Sequence, residues 1–320
     1  MNLTNINIET PCKNCVNLSH IIKSYPNISL YVIMYRIKVL KSNSICTLVI
    51  FLYAYTICIL VYKIIITSLI FNTNKFYGGL MLRLFGIAIF LVIFFILSIP
   101  IYLIEWILSK CNVKARDNSS KFIVSMGFRI CLFIAGVKIE ATGVENIPKD
   151  KACLYVGNHN SFFDILVSYV TIPYNVGYVA KKEINKVPFL NLWMRNISCL
   201  FLDRDNIKEG LKTILKGVEQ IKGGVSVFVF PEGTRSKDGK MLPFKEGSMK
   251  MAEKSKSPII PVALTGTADI FENHFPKVKR GKVTIDFGKP IIIEELDKED
   301  KKFLGAYTQR KIQEMLDERS

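Results

Sequence analysis

Ala152-Cys153-Leu154-Tyr155-Val156-Gly157-Asn158-His159-Asn160-Ser161-Phe162-Phe163-Asp164 passes from a strand pattern straight into a helix start. Ala152 to Val156 is a short apolar run closed by Gly157, which reads as a buried strand. Ser161 is placed to cap a helix that runs through about Tyr169. A strand that turns directly into a helix is the repeating unit of an α/β layered domain. The same texture continues downstream. Val176–Ala180, Cys199–Leu202, Val225–Phe230, Ile259–Leu264 and Val283–Phe287 read as further strands. Asn206 starts a helix that Gly223-Gly224 ends, and Lys298 to Glu318 reads as a charged helix. Pro261 argues for an edge or irregular position of its strand, because proline cannot donate to a ladder.

Upstream of residue 137 the composition is different. Ile45 to Tyr62, continued by Ile64 to Phe71 after Lys63, is one long apolar run, and Leu84 to Ile104 is a second. Each reaches the roughly 20 residues that cross a bilayer as a helix, and neither shows a polar face. They read as a membrane hairpin that either spans the bilayer or dips into one leaflet. The expected organisation is a polar to amphipathic segment at 1–44, the hairpin at 45–108, an interfacial linker or helix at 109–136, and an α/β domain at 137–320. Basic residues concentrate on both flanks, from Lys13 to Lys41 and from Lys110 to Arg129, which places both ends and the α/β domain on the cytoplasmic face. The first apolar run begins too deep in the chain for a signal peptide.

The formal net charge is +16, which favours an anionic partner: a nucleic acid, an acidic membrane or a phosphorylated substrate. No aromatic-basic or zinc-finger pattern supports nucleic acid, so anionic lipid is the expected partner. Cys12 and Cys15 with His20 lack a fourth ligand at a familiar spacing, so no metal site is expected.

Two motifs carry chemistry. His159 follows a strand, and Asp164 falls in the first turns of the next helix. A tight turn would let the carboxylate hold one ring nitrogen as N–H and leave the other to accept a proton. The same spacing also fits a histidine at a strand end beside a helix-capping acid. The second motif is Phe230-Pro231-Glu232-Gly233-Thr234-Arg235-Ser236. Gly233 lets the backbone approach a ligand, and Arg235 offers a planar fork matched to phosphate oxygens. Glu232 either accepts a bond from a substrate hydroxyl or fixes the loop. A base with its orienting acid beside an anion clamp suits acyl transfer onto the hydroxyl of a phosphorylated acceptor.

Both motifs resemble those of the glycerolipid acyltransferases, in particular the 1-acylglycerol-3-phosphate acyltransferases. Phe201-Leu202-Asp203-Arg204 is similar to the family's second block, and Ser257-Pro258-Ile259-Ile260-Pro261-Val262 to its fourth. Ala180-Lys181-Lys182-Glu183 also looks like a family segment, and the resemblance covers roughly residues 137–290. It implies a mixed sheet flanked by helices, with the hydrophobic hairpin in front. It implies His159 as general base and Asp164 as its partner. Lys181, Arg204 and Arg235 would hold the acceptor phosphate, Glu232 and Gly233 would shape the acceptor pocket, and Thr234 would stabilise the loop. The acceptor would be lysophosphatidic acid and the donor acyl-CoA or acyl-carrier protein, a co-substrate, with no other cofactor. Without a Gly-x-Ser-x-Gly elbow, Ser161 reads as a cap and the transfer as direct. Other lyso-lipids or glycerol 3-phosphate as acceptor, and a catalytically silent protein that binds anionic lipid, are the competing readings.

Overall fold

The computed structural model describes residues 79–319. The polar segment at 1–44, the first apolar run and the Cys12, Cys15 and His20 group lie outside the described residues.

Seven strands form one mixed sheet: β1 (Val137–Thr142), β2 (Leu154–Gly157), β3 (Val176–Lys181), β4 (Leu200–Leu202), β5 (Ser226–Val229), β6 (Ile259–Thr265) and β7 (Gly281–Phe287). Their spatial order is β1-β7-β6-β2-β5-β3-β4. The run β6-β2-β5-β3-β4 is parallel, β7 is antiparallel to β6, and β1 is parallel to β7. The period of two along each strand separates two cores. Tyr155, Phe228, Ile260, Val262 and Leu264 face one side, where α2 (Val113–Ala135), α3 (Phe163–Thr171) and α4 (Leu190–Asn196) pack. Leu154, Val156, Val227, Val229 and Ile259 face the other, under α5 (Ile207–Lys222), α6 (Lys250–Ser255) and α8 (Leu304–Asp317). A short α7 (Lys298–Lys302) precedes α8. Burying one such Ile, Leu or Val contributes about 1.5–3 kcal/mol, so alternation over these three strands specifies the register strongly.

Pro261 sits in an interior strand, between β2 and β7, and not at an edge. Its carbonyl accepts the N–H of Gly288 at 2.8 Å, just past the end of β7. The reciprocal bond that proline cannot make falls at the last rung, so only one ladder bond is lost. α5 follows its expected boundaries. The Asn206 side chain accepts the N–H groups of Lys208 and Glu209, and Gly224, at φ +88°, takes the left-handed conformation after the last turn.

α1 (Gly79–Cys111) is 33 residues long, about 50 Å at the α-helical rise. Among the described residues it is the one helix long and apolar enough to cross a membrane. Phe85, Ile89, Val92, Ile96, Ile99, Leu103 and Trp106 are exposed and recur every three or four residues, so they form one stripe. The opposite face is docked. Phe90, Ile101 and Leu108 are buried, the Trp193 indole N–H donates to Ser98 Oγ at 2.9 Å, and the Tyr102 hydroxyl donates to Phe189 O at 2.6 Å. Glu105 is buried at the α1–α2 contact and accepts from the Ser119 and Ser120 hydroxyls at 2.7 and 3.0 Å.

α2 lies within the 109–136 stretch and is wedged between α1 and α3. The charges that interrupt its apolar run point inward. Lys121 donates to the carbonyls of Ile172, at 2.9 Å, and Tyr174, and Arg129 donates to Val170 O at 2.9 Å. These are carbonyls at and beyond the C-terminus of α3, the end where cations are favoured.

Candidate active site

The chemistry-bearing residues all follow the carboxyl ends of parallel strands, where open α/β sheets place their ligands. His159 follows β2, Lys181 ends β3, Arg204 follows β4, and the Glu232–Arg235 loop follows β5. Because β2 and β5 are neighbours, the two motifs meet although 73 residues separate His159 from Glu232.

Asp164 is fully buried in the first turn of α3. Its Oδ2 lies 2.9 Å from His159 Nδ1 and accepts the backbone N–H groups of Asn160 and Ser161, each at 2.7 Å. Three donors converge on one oxygen, which fixes both the turn and the imidazole plane. The ring stacks on Phe230, with centroids 4.1 Å apart and planes 17° from parallel. Phe230 leans on Phe228 of β5, so an aromatic wall rooted in the core holds the imidazole from the side. With Nδ1 donating to Asp164, Nε2 is the free basic nitrogen, and no hydrogen bond reaches it among the described residues.

Glu232 is turned inward. Its Oε1 accepts His159 N at 2.6 Å and its Oε2 accepts Leu242 N at 2.9 Å. Burial pushes its carboxyl above the ordinary range, opposed by those two N–H groups. Both of its oxygens hold the loop, one to the His159 turn and the other to Leu242. Gly233 has φ +77°, and a side chain there would bring Cβ to 2.9 Å from Lys245 Nζ. Arg204 donates to the Gly233 carbonyl, so Arg204 and Lys245 flank this one glycine. Thr234 is exposed, and its side chain makes no hydrogen bond among the described residues.

Arg235 lies flat over the Phe162 ring, 3.7 Å from its centroid, and donates through Nη1 to Glu272 Oε1 at 2.9 Å. Glu272 comes from the loop after β6. The same Oε1 accepts Phe162 N at 2.9 Å, and Oε2 accepts the Ser161 hydroxyl at 2.5 Å. Ser161 Oγ in turn accepts the N–H of Phe163, the first residue of α3. Ser161 is therefore a capping residue, its hydroxyl committed to Glu272 on one side and to the start of α3 on the other.

A helix N-terminus after a strand commonly offers its N–H groups to phosphate. Here the N–H groups of residues 159–163 are all taken, by Glu232, Asp164, Glu272 and Ser161. An anion at this mouth must be held by side chains. Arg204, Arg235 and Lys245 are brought together around the loop. Lys181 stands on the neighbouring strand end, with its ammonium 3.6 Å from Glu183 and no contact to either arginine. Glu272 and Lys245 carried no sequence signal: each is a single charged residue in a loop, placed by contacts distant in the chain.

A profile described as Acyltransferase matches residues 138–265. The 1-acyl-sn-glycerol-3-phosphate acyltransferase of Saccharomyces cerevisiae is 31% identical over 211 residues, 65% of this chain and 68% of that protein. The protein of the same name from Borreliella burgdorferi is 36% identical over 143 residues, 45% of this chain and 57% of that one. The crystal structure of the 1-acyl-sn-glycerophosphate (LPA) acyltransferase PlsC from Thermotoga maritima superposes with a TM-score of 0.57 at 25% identity, covering 74% of this chain and 97% of that chain. With 31% identity over two thirds of the yeast protein and a shared fold, this chain belongs to the 1-acyl-sn-glycerol-3-phosphate acyltransferase family.

Proposed function

We propose that the chain transfers a fatty acyl group from acyl-CoA or acyl-carrier protein to the free hydroxyl of lysophosphatidic acid, giving phosphatidic acid. The observation that carries this reading is the His159–Asp164 pair at 2.9 Å with Nε2 left open. In this mechanism Nε2 takes the proton of the acceptor hydroxyl as its oxygen attacks the thioester carbonyl carbon. The C–S bond then breaks, and the proton passes from the imidazolium to the departing thiolate. Asp164 holds the tautomer and steadies the imidazolium without taking the proton. The acceptor phosphate lies against Arg204 and Arg235, whose remaining N–H groups have no hydrogen-bond partner among the described residues. Lys181 adds attraction from the next strand end. Glu232 and Gly233 set the shape of the loop, and Thr234 faces the mouth.

The exposed apolar stripe of α1 supports a membrane setting. A water-facing row of seven large apolar side chains is unfavourable unless lipid covers it. We read α1 as lying in the membrane with its docked face holding the α/β domain on the cytoplasmic side, beside the acyl chains of both substrates.

The test is transfer from a labelled acyl thioester to lysophosphatidic acid by the full-length protein in vesicles, beside His159→Ala. A general base contributes about 10²–10⁴-fold, so turnover should fall by roughly 10³ in the variant. Equal rates would remove the base mechanism. Activity only with a different lyso-lipid would keep the chemistry and replace the acceptor.

A further inference from the structure

Glu272 lies outside both family motifs, yet it touches both. Its carboxylate ties three loops together: its own, after β6; the catalytic turn after β2, through Ser161 and Phe162; and the loop after β5, through Arg235. Each contact is a hydrogen bond to a charged acceptor, the stronger kind. Arg235 is held on two sides, by the Phe162 ring beneath and by Glu272 at Nη1. That leaves its other N–H groups without a hydrogen-bond partner among the described residues. Glu272 also takes the N–H of Phe162, at the N-terminus of α3, which would otherwise attract an anion. A phosphate is thereby directed to the outer edge of Arg235 and away from the helix end.

We propose that Glu272 is a positioning residue for acceptor binding: it fixes Arg235 relative to His159, so that a phosphate on Arg235 sets the acceptor hydroxyl against Nε2. This rests on the acceptor being phosphorylated, as in the reading above. Glu272 touches neither reacting atom and acts through Arg235 and the catalytic turn.

The experiment is a double-mutant cycle with Glu272→Ala, Arg235→Ala and the pair, with Glu272→Gln alongside. The full-length protein is used, and melting temperature is recorded for each variant. Losing a hydrogen bond to a charged group is worth about tenfold or more, so Glu272→Ala should raise KM for lysophosphatidic acid about tenfold. KM for the acyl donor should not change. Glu272→Gln keeps a carbonyl for Arg235 and for the Phe162 N–H, and should stay within about threefold of wild type. In the Arg235→Ala background, Glu272→Ala should add less than about twofold. An undiminished penalty in that background would overturn the proposal, because Glu272 would then act on the catalytic turn alone. An unchanged acceptor KM in Glu272→Ala would overturn it as well. If Glu272→Ala does not fold, Glu272→Asp takes its place, since it withdraws the carboxylate by one methylene and should raise KM in the same way. If the wild type does not acylate lysophosphatidic acid, the functional reading fails on its own. The cycle is then read as the affinity of inorganic phosphate by thermal shift, with the same non-additivity expected and additive losses counting against the proposal.

Discussion

At the amino-terminal rim of the sheet, Lys121 and Arg129 reach from α2 to the carbonyls of Val170, Ile172 and Tyr174, just before β3 begins. At the carboxyl-terminal rim, Arg204 bonds one carbonyl and Arg235 one carboxylate, and each keeps further N–H groups open. The side chains are of the same kind, and their surroundings decide what they do. Lys121 is enclosed by backbone acceptors and the Tyr169 ring, so its donors are committed to the fold. Arg235 is more than a third exposed, and it faces a turn whose own N–H groups are already bonded. On the proposed reading, a cation serves a ligand where the backbone around it is satisfied by other groups, and serves the fold where it is not.

The sharpest way to break this contrast is to remove one cation from each rim. Arg235→Ala should raise the acceptor KM by about 10–100-fold, the range for a lost charge-assisted hydrogen bond, with little change in melting temperature. Lys121→Met should do the reverse. It takes the donor from the half-buried Ile172 carbonyl and from the exposed Tyr174 carbonyl, which costs about 1 kcal/mol of stability, and the acceptor KM should not move. Comparable KM rises in both would mean that the two rims are not separated in function.

Gly233→Ala sharpens the account at the carboxyl rim. The left-handed backbone at this position costs an L-residue about 1–2 kcal/mol, and the added Cβ meets Lys245 Nζ at 2.9 Å. The expected result is a modest drop in melting temperature with a larger loss of acceptor affinity, because the displaced loop carries Arg235. A stability loss without a change in KM would show that the loop's shape does not matter to the acceptor.

The smallest effect is a pH slope from the other rim. Burial, and then the neighbouring Arg129, push Lys121 down to about 7 from 10.5. Between those values the unfolded chain binds more protons than the folded one, so stability rises with pH. The contribution is complete above 10.5 and is lost as pH falls through about 7. Melting temperatures of wild type and Lys121→Met from pH 7 to 10 should therefore differ in slope, with the variant flatter. Parallel curves would mean that the two carbonyl bonds keep Lys121 charged throughout.

Much of this contrast was legible in the sequence at the carboxyl rim and little of it at the other. Strands β2 to β7 announce themselves as short apolar runs, and α5 carries both its cap and its stop. β1 was not read as a strand, because Lys138 and Glu140 alternate with its apolar residues and its pairing partner lies at the other end of the domain. Pro261 misled because the sequence does not show that its strand's neighbour ends opposite it. His159 and Asp164 are close in the chain, so a local turn sufficed to pair them. Glu272 is 111 residues from Ser161, and only the sheet order brings β6 beside β2. Lys121 and Arg129 read only as part of a basic flank, since the carbonyls they satisfy belong to another element.

The most direct test of the carboxyl rim as a phosphate-reading site is a competition. The wild-type protein in vesicles is given one labelled acyl thioester and equal amounts of lysophosphatidic acid and the matching monoacylglycerol, which lacks only the phosphate. The account predicts that phosphatidic acid dominates in the wild type and that its excess over diacylglycerol collapses in Arg235→Ala. Equal products from the wild type, or an excess that survives unchanged in the variant, would contradict it.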